Sequence, residues 1–152
     1  MKSRFKEGCF YCEHNQTLHE RMIPIVTFDA STVYLNRDQT HPGRVIVALN
    51  WHVDEIFELS QQQRTAFIEE VSLTAKVVKE HFNAAKINLG VYGDTVSHLH
   101  FHIVPKVPAD IDWDDSFINN PKDPAHLSDS ESPKRVNQLR EELEDEYETI
   151  RD

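Results

Sequence analysis

A chain of 152 residues is long enough for one domain with a proper core plus an appendage. Its formal net charge of −10 sits unevenly: residues 107–152 hold 14 acids and 5 bases, residues 1–106 hold 12 and 11. The acidity belongs to the tail, so a small anionic nucleotide is not excluded, whereas a long nucleic acid finds no basic track. No apolar run approaches the ~20 residues of a membrane span, and the first seven residues lack the apolar stretch of a signal peptide. A cytoplasmic protein that does not engage membranes is expected.

In chain order, Cys9 and Cys12 come first, the only two cysteines, spaced C-x-x-C. In the cytosol that spacing suggests a metal knuckle or a redox pair rather than a structural disulfide. His14 and His19 follow in a polar stretch that reads as surface. Arg21 to Phe28 is apolar enough for a short strand, which Pro24 confines to an edge or an irregular segment. Thr32 to Leu35 is a second strand, and Asn36 to Gly43 a turn-rich connection. Arg44 to Leu49 is nearly continuously apolar and β-branched, the pattern of a central strand buried on both faces.

Beyond Trp51 and His52, Asp54 to Leu59 reads as a short helical turn. Ser60, with Gln63 three residues on, forms a capping-box pattern. It opens a long helix whose stripe is Phe67, Val71, Ala75, Val78 and Phe82. Lys86 to Tyr92 is strand-like. Residues 107–131, rich in Pro, Asp, Asn and Ser, predict a long loop carrying Trp113 and Phe117. Ser132 and Pro133 then suit an N-cap and first helical position. Val136, Leu139, Leu143, Tyr147 and Ile150 make a helical stripe with an acidic opposite face. Such a helix docks on its own domain or on a partner copy; a short coiled coil is the alternative.

The densest signal is His98 to Lys106. His98, His100 and His102 alternate with Leu99, Phe101 and Ile103, the period-2 pattern of a strand with one face working and one face in a core. Neighbouring histidines lie about 6.6 Å apart along such a strand and the outer two about 13 Å. One ion can take two neighbours from this ladder but hardly three, so its members are expected to have different tasks.

His98-Leu99-His100-Phe101-His102-Ile103-Val104 resembles the defining motif of the histidine-triad proteins. The resemblance extends over roughly residues 9–106, through Asn36-Arg37, Pro42-Gly43, His52, Asn88 and Gly93-Asp94-Thr95. It implies an α+β fold: an antiparallel sheet of about five strands with one long and one short helix, plus here a C-terminal helix. The expected organisation is a catalytic domain over 1–106, a loop extension over 107–131 and an acidic amphipathic helix over 132–152.

It also implies a nucleotide hydrolase or nucleotidyl transferase acting at an α-phosphate, usually as a homodimer. Candidate substrates are dinucleoside polyphosphates, nucleoside phosphoramidates and nucleotidyl sugars. By resemblance His100 is the nucleophile that forms a covalent nucleotidyl-histidine, with His102 or a backbone amide helping the leaving group. Gly93, Thr95 and His102 are expected at the phosphate, and Asn36 and Asn88 at ribose or phosphate.

Related proteins carry structural zinc on a C-x-x-C pair, a histidine after the central strand and the first histidine of the triad. Cys9, Cys12, His52 and His98 match those four positions, and two thiolates with two neutral imidazoles suit tetrahedral zinc. No organic cofactor is expected. The chain departs from the family pattern in two places. Arg44 stands where histidine is common and becomes a candidate for substrate phosphate, and Asp94 stands where Gln or Asn is common. Trp113 is open to base stacking, a partner contact or ordinary packing. His14, His19, His41, His81 and His126 are expected as surface or core histidines without a task. Two other classes stand beside the enzyme: a low-turnover nucleotide-binding regulator and a zinc-built protein-interaction module.

Overall fold

The computed structural model describes residues 4–151. Met1 to Ser3, which enter the signal-peptide reading, and Asp152, counted in the expected last helix, lie outside the described residues. Two short helices, α1 (Phe10–Glu13) and α2 (Gln16–Arg21), lead into β1 (Met22–Thr27) and β2 (Ser31–Asn36). Then come β3 (Val45–Leu49), a 3₁₀ turn (Ile56–Glu58), α3 (Gln61–His81), β4 (Lys86–Gly90), β5 (His100–Lys106) and α4 (Glu131–Arg151). The five strands form one antiparallel sheet in the order β1-β2-β3-β5-β4. β1 is an edge, one of the two placements Pro24 leaves open, and its register slips between Pro24 and Val26.

β3 is buried along its whole length because each face of the sheet carries a layer. Val45, Val47 and Leu49 point with Leu99, Phe101 and Ile103 into the helix-side core, where Phe67 of α3 meets Phe101 edge-on at 5.6 Å. Ile46 and Ala48 face the other way, toward Phe10, Tyr11 and Leu18 of the two short helices. The alternating histidines share this second face.

Ser60 caps α3 as its sequence implies: Ser60 Oγ accepts from the Gln63 amide at 3.2 Å, and Gln63 returns the bond to the Ser60 amide. Its buried side is wider than the predicted stripe, taking in Leu73, Thr74 and Val77, while Ala75 is only partly buried. The reason is α4, which packs against both α3 and β1 and buries Val136, Leu139 and Leu143 in the same core. Glu70 ties α3 to the β1–β2 turn. Its carboxylate accepts from the Ala30 amide at 3.1 Å and the Ser31 hydroxyl at 2.6 Å, and burial pushes its pKa up.

Four boundaries differ from expectation. The polar stretch after Cys12 holds α2, capped by the Asn15 side chain on the Leu18 amide. β4 ends at Gly90, and His98 precedes β5 rather than lying in it. α4 begins one residue before the expected cap. Ser128 Oγ accepts from the Glu131 amide at 3.1 Å and Glu131 accepts from the Ser128 amide, so Ser132 and Pro133 fall inside the first turn. The 107–130 segment has no helix of its own and runs beside the β2–β3 connection, pairing once, His126 against Asp38.

Candidate active site

The second face of the sheet holds two groups of histidines. At one end His98, just ahead of β5, meets α1 and the loop after β3. Cys9 Sγ and Cys12 Sγ lie 3.3 Å and 3.6 Å from His98 Nδ1. His52 Nδ1 is 3.2 Å from His98 Nδ1 and 3.6 Å from Cys12 Sγ. All four ligand atoms fall within 4.8 Å of one another, a set that can hold a metal ion.

The outer nitrogens are occupied. His98 Nε2 bonds the Leu49 carbonyl at 2.8 Å, and His52 Nε2 faces Asp54 Oδ1 at 3.1 Å. A carbonyl only accepts, so His98 carries its proton on Nε2 and turns a lone pair inward at Nδ1. The carboxylate fixes His52 the same way, a support usual for metal-bound histidine. Burial pushes His98 down to about 4, so its ring is neutral near pH 7.

At the other end, His100 and His102 line a cavity of about 610 Å³ between α1, β2 and the segments after β4 and β5. Their ring centroids are 5.0 Å apart, and Tyr11 lies 5.0 Å from the His98 ring and 5.3 Å from that of His100. Here the occupied nitrogen is the opposite one. His100 Nδ1 donates to the His98 carbonyl at 2.5 Å, leaving Nε2 as the ring's basic atom. Burial lowers its pKa, which keeps that lone pair available at neutral pH. His102 Nδ1 accepts from Arg44 Nη2 at 3.1 Å.

The wall beside His102 depends on a missing side chain. Gly90 pairs with His102 across β4 and β5, and a Cβ there would lie 2.8 Å from the Tyr92 ring and 2.9 Å from Phe117. Tyr92 and Phe117 close that side, at 5.7 Å and 6.0 Å from the His102 ring.

Asn36, Gly93 and Thr95 join His100 and His102 in the cavity lining. Asn88 does not; it sits on β4 opposite Val104, two residues from Gly90, with its Oδ1 buried and unpartnered among the described residues. Sequence reasoning missed Arg37, Asp38, Asn119 and His126, all of which line the cavity. His126 is brought there by donating Nδ1–H to the Arg37 carbonyl, 89 positions away, and no local pattern foretells that.

Of the two places open to it, surface or core, His41 takes the core. It is buried, with Nε2 2.8 Å from Asp112 Oδ2, and Asp110 lies near its Nδ1. The ammonium of Lys106 stands 3.8 Å from Asp112 Oδ1, a built-in cation that makes this trio a structural tie for the loop. Trp113 is not in the cavity lining.

An antiparallel α+β domain with alternating histidines on its fourth ladder partner defines the class. Residues 21–109 match the HIT domain family, and the chain belongs to it. It is 28% identical over 120 residues to a bis(5'-adenosyl)-triphosphatase of Dictyostelium discoideum, across 75% of this chain and 80% of that protein. It is 29% identical over 90 residues to an asymmetrical bis(5'-nucleosyl)-tetraphosphatase of Schizosaccharomyces pombe, across 56% of this chain and 50% of that protein, so it spans about half of that relative. Among solved structures, a histidine triad protein from Marinobacter aquaeolei superposes with a TM-score of 0.78 at 23% identity, covering 86% of this chain and 95% of the other. One from Bradyrhizobium japonicum gives 0.76 at 23% identity, covering 85% and 96%. These two likenesses establish the fold.

Proposed function

We propose that the chain is a nucleotide hydrolase that attacks an α-phosphate through a covalent nucleotidyl-histidine on His100. The observation that carries this reading is the bond from His100 Nδ1–H to the His98 carbonyl, which leaves Nε2 of a cavity-lining ring basic and neutral. A neutral imidazole is a competent nucleophile near pH 7, and two displacements replace one difficult one. Thr95 and the backbone after Gly93 are suited to phosphate oxygens, Asn36 to ribose or phosphate, and His102 Nε2–H to an oxygen of the reacting phosphate. The relatives named as dinucleoside polyphosphatases support this class of substrate.

The metal of the Cys9, Cys12, His52 and His98 set is read as structural zinc. Tetrahedral zinc, with bonds of about 2.0–2.1 Å to nitrogen and about 2.3 Å to sulfur, sets N···N edges of about 3.3 Å and N···S edges of about 3.6 Å. The edges here are 3.2 Å and 3.3–3.6 Å. Two imidazole lone pairs facing at such a distance repel each other without a cation between them. The ion supplies a closed cross-link between the N-terminus and the histidine segment; the reaction itself runs on this chain's own side chains.

A homodimer and a cytoplasmic location complete the reading. The dimer is supported by the unpaired edge of β4 with its exposed Leu89. Among the described residues no helix is long and apolar enough to cross a membrane. The test is to quench the protein during turnover of diadenosine triphosphate and map the adduct by mass spectrometry. An adenylyl group on His100 is the expected outcome. Full turnover by His100→Ala, or an adduct elsewhere, overturns the reading.

A further inference from the structure

Arg44 has no part in the scheme above, yet it is only 3% exposed. The loop after β5 grips its guanidinium: Nη1 donates to the Asn119 carbonyl at 2.9 Å and Nη2 to Asn119 Oδ1 at 2.6 Å. The Phe117 ring lies against it at 5.3 Å. Nη2 also donates to His102 Nδ1. A guanidinium has donors only, so His102 Nδ1 must accept and the ring's single proton sits on Nε2. The permanent charge of Arg44 opposes a second proton on that ring.

We propose that Arg44, clamped by Asn119, is a positioning residue that locks His102 as a hydrogen-bond donor with no proton to surrender, and so sets the site to leaving groups that depart as stable anions. The proposal rests on the reading of His100 as nucleophile. In the first step His100 Nε2 gives its lone pair to the α-phosphorus. The bond from phosphorus to the leaving atom breaks, and its electron pair goes to that atom. His102 Nε2–H can donate a hydrogen bond throughout, but releasing the proton would leave a strongly basic imidazolate. A phosphate oxygen carries the pair away as an anion. An alkylamine nitrogen must gain a proton that His102 does not supply. In the second step a water oxygen bonds to phosphorus, the N–P pair returns to Nε2, and a proton leaves to solvent.

The experiment measures metal-loaded, full-length protein on two substrates, diadenosine triphosphate and an adenosine 5'-phosphoramidate of an alkylamine. Wild type is expected to favour the triphosphate by at least about 100-fold in kcat/KM, the scale of missing acid catalysis. Arg44→Met frees Nδ1 for a second proton and narrows that preference by about 10-fold or more, through kcat. Arg44→Lys keeps a cationic donor and keeps the preference. Asn119→Ala alters an exposed loop residue, leaves the core intact and narrows the preference by a smaller factor. Equal turnover of both substrates by wild type overturns the proposal, as does a proportional loss on both in Arg44→Met and Asn119→Ala. His100→Ala separates the two levels. If its turnover survives, the nucleophile reading fails; if it abolishes both activities while the Arg44 and Asn119 variants leave the preference untouched, only this proposal fails.

Discussion

At the His98 end of the histidine row, backbone and carboxylate oxygens occupy Nε2 and the Nδ1 lone pairs converge with two sulfurs. At the His100 end, Nδ1 is occupied and Nε2 is left over the cavity. The residue type is the same, His98, His100 and His102 come from one five-residue stretch of chain, and burial favours the neutral form of those three rings. What differs is which nitrogen the surroundings take first. An imidazole becomes a ligand or a reagent according to the partner of its other nitrogen, and here two of those partners are main-chain carbonyls, of Leu49 and His98, and two are side chains, of Asp54 and Arg44.

The sharpest way to break this comparison is to remove one ring from each end. His100→Ala is expected to lower hydrolysis by about 10⁴-fold or more while metal content and melting temperature stay near wild type. His98→Ala or Cys12→Ser should instead empty the metal site. Elemental analysis should fall from about one zinc per chain to well under half, with Tm down by about 10 °C or more. If His100→Ala releases metal, or Cys12→Ser leaves Tm unmoved, the two ends are not the separate devices described.

The helix side of the sheet serves as a control because it holds no chemistry. Leu139 of α4 is fully buried, so Leu139→Ala should cost about 2–5 kcal/mol in urea unfolding. The rate per folded molecule should not change. A matching fall in kcat would mean that α4 reaches the site.

The smallest effect concerns acid. Burial, then the charges of Arg44 and His100, push the His102 pKa down to about 3 from 6.5. Above pH 6.5 the ring is neutral folded or unfolded and contributes no pH dependence. Below it the unfolded chain binds a proton that the folded ring refuses, so stability falls by up to ~1.4 kcal/mol per unit until about pH 3. By pH 5 wild type should have lost about 2 kcal/mol more than His102→Asn, both measured against their own values at pH 7. Parallel curves for the two proteins would show that this ring is not kept neutral by the fold.

Much of this architecture is legible in residue order because its causes are local. Pro24 marks an edge strand by lacking a donor, Ser60 and Gln63 mark a helix start by satisfying each other's amides, and alternation marks β5. The α2 helix is not legible: six residues make too short a pattern, and it stands through the Asn15 cap and the burial of Leu18 against Met22. The start of α4 was expected at a Ser132 cap, and the reciprocal hydrogen bonds between Ser128 and Glu131 set it one residue earlier than that cap. Arg44 is plain as a departure from the family pattern, but its partner Asn119 lies 75 positions away. Tautomers are further still from sequence, since each follows from a contact made after the chain has closed.

Because α4 covers both α3 and β1 yet follows every strand in order of synthesis, the growing polypeptide completes its sheet before the lid of its core exists. During that interval Ile25, Val77 and their neighbours face solvent or a chaperone. Translational stalling between Lys106 and Glu131 would therefore yield a species with its histidine row assembled and its opposite side adhesive, a natural substrate for quality control.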